Sequence, residues 1–205
     1  MNLEILISFV VAVFALAISP GPDNIFVLVQ SLRFGKKYGI ATVLGLMTGC
    51  LIHTSLVAFG VSLLIVKHDI LFIALKVFGA CYLLYLAYKV YKSSSEIDLN
   101  SAEASPKTRF QLFQQGFVMN VLNPKVSLFF LALFPGFLFS ESMSTTYQFI
   151  ILGAVFILVS FIVFTGIAML SGSLKTYMEG HKNAGRFLKW LQIIVFVGIA
   201  IFICI

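Results

Sequence analysis

Six long apolar stretches run along the chain, at residues 3–32, 39–66, 70–91, 111–140, 146–172 and 187–205, here called segments one to six. Their apolar positions are continuous and do not alternate, which predicts helices and not the strands of a barrel. About 20 apolar residues cross the hydrocarbon core of a bilayer, so each segment can cross once, although segment six is barely long enough. The pattern predicts an all-α integral membrane protein with six transmembrane helices.

Segments one and four each carry a polar interruption. Segment one contains Ser19-Pro20-Gly21-Pro22-Asp23-Asn24, and segment four contains Asn120-Val121-Leu122-Asn123-Pro124-Lys125. Proline has no amide donor, and a helix break inside a bilayer is tolerated only where the backbone is buried in protein or lines a watery cavity. Helices one and four are therefore predicted to be broken, the first by Ser19, Pro20, Gly21 and Pro22 and the fourth by Pro124.

The shared position of these interruptions predicts an internal repeat. A polar, serine-rich stretch at residues 92–110 separates residues 1–91 from residues 111–205, and each half begins with a broken helix. Each half has three spans, an odd number, so the two halves should be inserted in opposite orientations. The predicted organisation is a 3+3 inverted repeat, with residues 92–110 as a cytoplasmic linker.

Charge is sparse and unevenly placed. Hydrophobic residues make up 60% of the 205 and charged residues only 11%, which supports the membrane class. Eleven of the fourteen Lys and Arg residues lie in or within three residues of the connections after segments one, three and five, whereas only Lys67 lies in the connections on the opposite side. This asymmetry predicts that the basic connections are cytoplasmic and that both termini are outside. No basic domain is present, so a nucleic-acid partner is not expected.

The N-terminal stretch is predicted to be the first membrane helix and not a cleaved signal. Residues 1–4 include Glu4 and no Lys or Arg, where a secretory signal would carry positive charge.

The two breaks supply the candidate chemistry. Asn123 and Pro124 have the pattern of a helix N-cap and first helical residue, and Asp23 would lie in the first turn after the other break. In the inverted arrangement both half-helix N-termini point to the membrane interior and favour an anion there. Lys125 adds a positive charge, and Asp23 suits an ammonium group or a transported proton.

The predicted site is complementary to a small zwitterionic substrate. Its substrate-binding residues are Asp23, Asn24, Asn120, Asn123 and Lys125. The competing interpretation is purely structural: Asp23 and Lys125 form a buried ion pair that joins the halves and binds nothing.

Segment two presents a stripe of small residues that ends in a histidine. Ala41, Gly45, Gly49 and His53 recur every four residues, a spacing that lets helices approach closely. The contact could lie within one protomer or between protomers, so a homo-oligomer remains open. His53 joins Asp23 as a proton-coupling candidate, although a histidine bonded to a neighbouring carbonyl is the more common case.

The remaining polar positions are interpreted as structural. Ser160 and Thr165 in segment five are expected to bond to carbonyls of their own helix. Cys50, Cys81 and Cys204 lie in apolar runs away from the prolines, so neither a metal site nor a disulfide is indicated, and no cofactor is expected.

The paired motifs resemble those of the LysE/RhtB family of amino-acid exporters. The likeness rests on Ser19 to Asn24 with the following stretch from Gly35 to Gly49, and on Gly116 to Lys125. It implies a secondary transporter in the bacterial inner membrane, not an enzyme, driven by the membrane potential or by antiport against the proton gradient. The form of both motifs resembles the branch that exports neutral amino acids such as homoserine, threonine or leucine. The alternatives are an exporter of basic amino acids or another small solute, a non-transporting membrane scaffold, and a transmembrane redox carrier.

Overall fold

The fold is all-helical throughout the part of the chain that the structure describes. A computed structural model describes residues 2–61, 69–93, 107–181 and 183–204, and these contain helices, turns and no strand. This confirms the all-α class. Most of the predicted linker at residues 92–110, together with Lys67, lies outside the described residues.

Segment one is broken where the sequence predicts. Helix α1 covers Leu3–Ile18 and helix α2 covers Pro22–Phe34, and the two are bent by 58°. Asn2 caps α1 by accepting hydrogen bonds from the amides of Glu4 and Ile5. Gly21 is the N-cap of α2, and Pro22 is its first residue. Proline is favoured there because the first amides of a helix have no partner within the helix.

Segments two and three form helix α3, Lys36–Leu56, and helix α4, Asp69–Lys92. Helix α3 continues as one π-helical turn over Val57–Val61.

Segment four also breaks as predicted but does not continue as one regular helix. Helix α5, Arg109–Val121, and helix α6, Pro124–Leu128, enclose a bend of 47°. After α6 the chain forms a π-helical turn, Phe129–Leu133, and a 3₁₀ turn, Phe134–Phe137. Pro135 lies in this last turn. It cannot donate the hydrogen bond that a continuing α-helix requires, which accounts for the helix ending before residue 140.

Segments five and six form helix α7, Thr145–Met169, and helix α9, Ala184–Cys204, with the short helix α8, Ser171–Gly180, between them. Three stretches of the described residues are long and apolar enough to cross a membrane, namely Lys36–Val61, Thr145–Met169 and Ala184–Ile201. The two bent pairs raise this to five. The chain is therefore a multi-pass membrane protein, while the sixth span and the inverted repeat stay predictions.

Helices from the two halves pack closely against each other. Helix α3 crosses α5 with no space for a side chain at the crossing: a Cβ on Gly45 would meet the carbonyl oxygen of Phe113, and one on Gly116 would meet that of Thr42. Helix α1 packs on α7, α3 also packs on α7, and α4 packs on α9. The glycine stripe of segment two thus makes its contact within one protomer.

A cluster of phenylalanines packs around the second half of segment four. The rings of Phe130 and Phe134 stack with centroids 4.2 Å apart, and Phe130 lies 4.7 Å from Phe156. The cluster comprises Phe9, Phe129, Phe130, Phe134, Phe137, Phe149 and Phe156, all buried. It fills the space between α1, α7 and the turns that follow α6.

Candidate functional site

The two helix breaks lie against each other. Nδ2 of Asn123 donates a hydrogen bond of 2.8 Å to Oδ2 of Asp23, whose side chain is only 6% exposed. The other end of the same amide caps α6, because Oδ1 of Asn123 accepts from the backbone amide of Lys125 at 3.0 Å. One side chain therefore joins the start of α2 to the start of α6.

Lys125 is bonded to the carboxyl end of α1. Its Nζ donates to the carbonyl oxygen of Leu16 at 3.0 Å and to that of Ser19 at 3.1 Å. Nδ2 of Asn24 donates to the carbonyl of Ala17 at 2.7 Å. The last carbonyls of a helix have no partner within it and carry its partial negative charge, so an ammonium group is stabilised there.

Asp23 and Lys125 do not contact each other directly. Within the described residues, the carboxylate is bonded to Asn123 and the ammonium to the α1 carbonyls, and no ion pair joins the two charges. The structural alternative of a direct Asp23–Lys125 pair therefore differs from the observed arrangement. Both charges are held near each other by separate partners.

Asn120 lies at the end of α5, and His53 reaches it from the last turn of α3. Nε2 of His53 is 3.2 Å from the backbone carbonyl oxygen of Asn120, and because a carbonyl can only accept, Nε2 carries the proton. The thiol of Cys50 lies 3.6 Å from Oδ1 of Asn120 and donates to it. His53 is thus bonded to a neighbouring carbonyl, the more common of the two cases considered from the sequence.

A small cavity of about 30 Å³ lies between the breaks. All five predicted substrate-binding residues line it, together with Gly21 and Pro22 from the first break. Its other walls come from Leu16, Ala17, Met47, Cys50, Val126, Phe156, Ser160 and Phe164. A cavity of this volume holds one or two water molecules and is too small for an amino acid.

Sequence comparison places the chain in a family. Residues 14–205 match the model of the LysE type translocator, a range that includes both breaks and every residue that lines the cavity. The chain belongs to the LysE type translocator family. It is therefore a membrane transporter of the amino-acid exporter type and not an enzyme.

Several curated proteins are similar to this LysE type translocator. The homoserine/homoserine lactone efflux protein of Salmonella typhimurium is 33% identical over 168 residues, which cover 82% of this chain and 81% of that protein. The protein of the same name from Salmonella typhi is 34% identical over the same shares of the two chains. The uncharacterized membrane protein YrhP of Bacillus subtilis is 31% identical over 204 residues, or 96% of each chain. No solved structure matches the translocator.

Some of the site residues predicted from the sequence line the cavity of the translocator, and others do not. Ser19, Pro20, Pro124 and His53 do not line the cavity, although Ser19 is fully buried and its carbonyl binds Lys125. In the part of the chain that the structure describes, the hydroxyl of Ser19 has no hydrogen-bond partner. Cys50 does line the cavity, so the expectation that all three cysteines lie away from the breaks is wrong for this residue. No group of three His, Cys, Asp or Glu side chains that could hold a metal occurs among the residues described.

Ser160 is a cavity residue that the sequence did not reveal. Several hydroxyls on the other helices bond back to carbonyls four residues earlier, as in Ser31, Thr42 and Thr54. Ser160 and Thr165 were expected to do the same, but neither hydroxyl has a hydrogen bond to any described residue. A serine within a long apolar run has no sequence signature that separates these two cases.

Proposed function

We propose that this translocator exports small neutral amino acids, or close derivatives of them, from the bacterial cytoplasm across the inner membrane. The observation that carries the proposal is the cavity between the two helix breaks, where Asp23, Asn123 and Lys125 converge. The relatives named for homoserine and homoserine lactone efflux support the same substrate class.

The hydrogen-bonding capacity left in the site suits a zwitterion. An ionised carboxylate offers about four acceptor positions, and Asp23 uses one of them on Asn123, which leaves room for a substrate ammonium. A lysine ammonium has three donors, and Lys125 uses two on the carbonyls of Leu16 and Ser19. Nζ also lies 5.4 Å from the centre of the Phe196 ring. In this proposal its third donor, with the first amides of α2, binds the substrate carboxylate.

The same residues offer a way to couple export to a gradient. In this proposal Asp23 alternates between a charged form that binds the ammonium and a protonated form that releases it. His53 is a second candidate, because its ring bonds to the backbone carbonyl of Asn120, a residue that lines the cavity. A translocator without proton coupling would instead be driven by the membrane potential acting on a charged substrate complex.

The packing supports the proposed inverted repeat of residues 1–91 and 111–205. In such a repeat α1 corresponds to α5, α3 to α7 and α4 to α9. The contact of α3 with α5 should therefore have a counterpart between α7 and α1, and both contacts are present. The contacts of α3 with α7 and of α4 with α9 each join two corresponding helices, as a two-fold relation between the halves requires. With the positive connections in the cytoplasm, both termini lie outside in this arrangement.

Transport requires a larger cavity than the observed one. The space of about 30 Å³ holds no amino acid, and the phenylalanine cluster around Phe130 and Phe156 borders it. We therefore propose that the site enlarges in the inward-open and outward-open conformations that alternating access requires.

The direct test is efflux from proteoliposomes loaded with single amino acids, under an imposed proton gradient or an imposed membrane potential. We expect homoserine and other small neutral amino acids to leave faster than from empty-vector liposomes, and Asp23→Asn to abolish the difference. Efflux of lysine or arginine alone would favour the basic-amino-acid alternative. No efflux of any amino acid would contradict the proposal and favour another solute or a scaffold.

A further inference from the structure

One wall of the cavity is made by a single face of α7. Phe156, Ser160 and Phe164 are spaced by four residues, which places them one above another on that face, and all three line the cavity. The charged and amide groups of the cavity belong instead to α2, α5 and the start of α6. The wall from α7 is thus apolar apart from one hydroxyl.

The hydroxyl of Ser160 lies at the cavity and has no hydrogen-bond partner among the described residues. Its side chain is 1% exposed, and it makes no hydrogen bond to any residue in the described part of the chain. The thiol of Cys50, the other small polar group in the lining, is already bonded to Asn120. A hydroxyl that lies at a cavity without a protein partner can donate to, and accept from, a molecule that occupies the cavity.

We propose that Ser160 is a specificity residue that hydrogen-bonds an oxygen on the side chain of the transported amino acid. The inference rests on the proposed function, in which the residues of the helix breaks hold the ammonium and carboxylate of the substrate. A substrate held there by both end groups directs its side chain to the remaining wall, where Ser160 lies between two phenylalanines. The site therefore takes a short side chain with one hydroxyl or carbonyl oxygen in an otherwise apolar environment.

The chemistry predicts which amino acids are rejected. A hydroxyl can donate and accept, so it can bond either a hydroxyl or a carbonyl oxygen on the substrate side chain. A substrate of the same shape with a methyl group in place of the oxygen leaves Ser160 unbonded in a desolvated place. Sites built to bond a substrate hydroxyl reject the analogue that lacks it far more strongly than an apolar site rejects a change in size.

The experiment compares homoserine with norvaline, in which a methyl group replaces the hydroxyl. Each is measured as a competitor of labelled substrate efflux from proteoliposomes that contain wild type, Ser160→Ala or Ser160→Thr. We expect wild type to favour homoserine, Ser160→Ala to reduce that preference at least about tenfold by weakening homoserine alone, and Ser160→Thr to keep it.

Ser55→Ala is the matched control. Ser55 lies on α3, its hydroxyl bonds back to the carbonyl of Leu51 at 2.8 Å, and it does not line the cavity. The same substitution there should leave the ratio of homoserine to norvaline unchanged.

The outcomes separate this inference from the proposed function. If Ser160→Ala lowers both amino acids by the same factor, or neither, the residue does not recognise the side chain and the inference is wrong, while amino-acid export stands. If wild type transports neither homoserine nor norvaline nor any other neutral amino acid, the proposed function fails and the inference fails with it.

Discussion

The side-chain amide of Asn123 donates a 2.8 Å hydrogen bond to the carboxylate of Asp23, a residue 100 positions earlier in the chain. Each partner stands at the start of the helix that follows a break. Together with the bonds from Lys125 to α1, it connects the two interrupted helices directly, and a variant at either end perturbs both breaks at once.

Asp23→Asn should abolish gradient-driven efflux while the protein stays folded and inserted. The asparagine oxygen can still accept the hydrogen bond from Asn123, but the negative charge for a substrate ammonium or a proton is lost. The measurement is efflux per molecule of reconstituted protein, with thermal unfolding in detergent as the control for folding. Wild-type efflux in this variant would exclude Asp23 from both roles.

Asn123→Ala and Asn123→Asp should separate the structural role of Asn123 from its place in the site. Alanine removes the cap of α6 and leaves Asp23 without its partner, at a cost of about 2 kcal/mol in stability. Aspartate keeps the capping oxygen but places a second carboxylate beside Asp23. We expect the alanine variant to unfold at a lower temperature than wild type. We expect the aspartate variant to lose efflux whether or not its unfolding temperature changes. Equal efflux in the aspartate variant and wild type would argue against a charge-sensitive site.

Lys125→Met should lower both stability and efflux, whereas a residue that only binds substrate would lower efflux alone. Methionine keeps most of the length of the side chain but leaves the carbonyls of Leu16 and Ser19 without their donor, at a cost of about 1–3 kcal/mol. The test is thermal unfolding of wild type and variant, followed by efflux at a temperature where both are folded. An unchanged unfolding temperature would show that the bonds to α1 contribute nothing to stability.

Gly45→Ala should destabilise the protein severely, because the added methyl group would overlap the backbone carbonyl of Phe113 and α3 would have to move away from α5. Overpacking of this kind costs about 1–3 kcal/mol or more. Gly166→Ala is the matched control, since a Cβ on Gly166 of α7 meets nothing within 4 Å. Similar yields and unfolding temperatures for the two variants would contradict the close crossing of α3 and α5.

The sequence predicted the breaks because their cause is local. Pro22 and Pro124 lack amide donors, and Asn123 has the chemistry of an N-cap, so the interruption can be read from a few neighbouring residues. The same reasoning placed all five proposed binding residues at one site, and they share one cavity.

The partners of individual groups could not be predicted in this way. Lys125 bonds to α1 carbonyls more than 100 residues earlier in the chain, and Ser160 faces the cavity instead of its own helix. Both facts depend on how helices that are distant in sequence pack together. When a helix is apolar on every side, its hydrophobic pattern does not show which face contacts which helix. The π-helical and 3₁₀ turns after α6 also depend on the packing of the phenylalanine cluster as well as on Pro135.

The crossing of α3 and α5 bears on how such a protein could have arisen. Under the proposed repeat, α3 packs against the broken helix of the other half, so a three-helix unit alone would leave its glycine face uncovered. An ancestor of half the length would have covered that face only with a second copy inserted in the opposite direction. The ancestral gene product would then have been an antiparallel dimer with dual topology, and gene fusion would have made its partnership permanent.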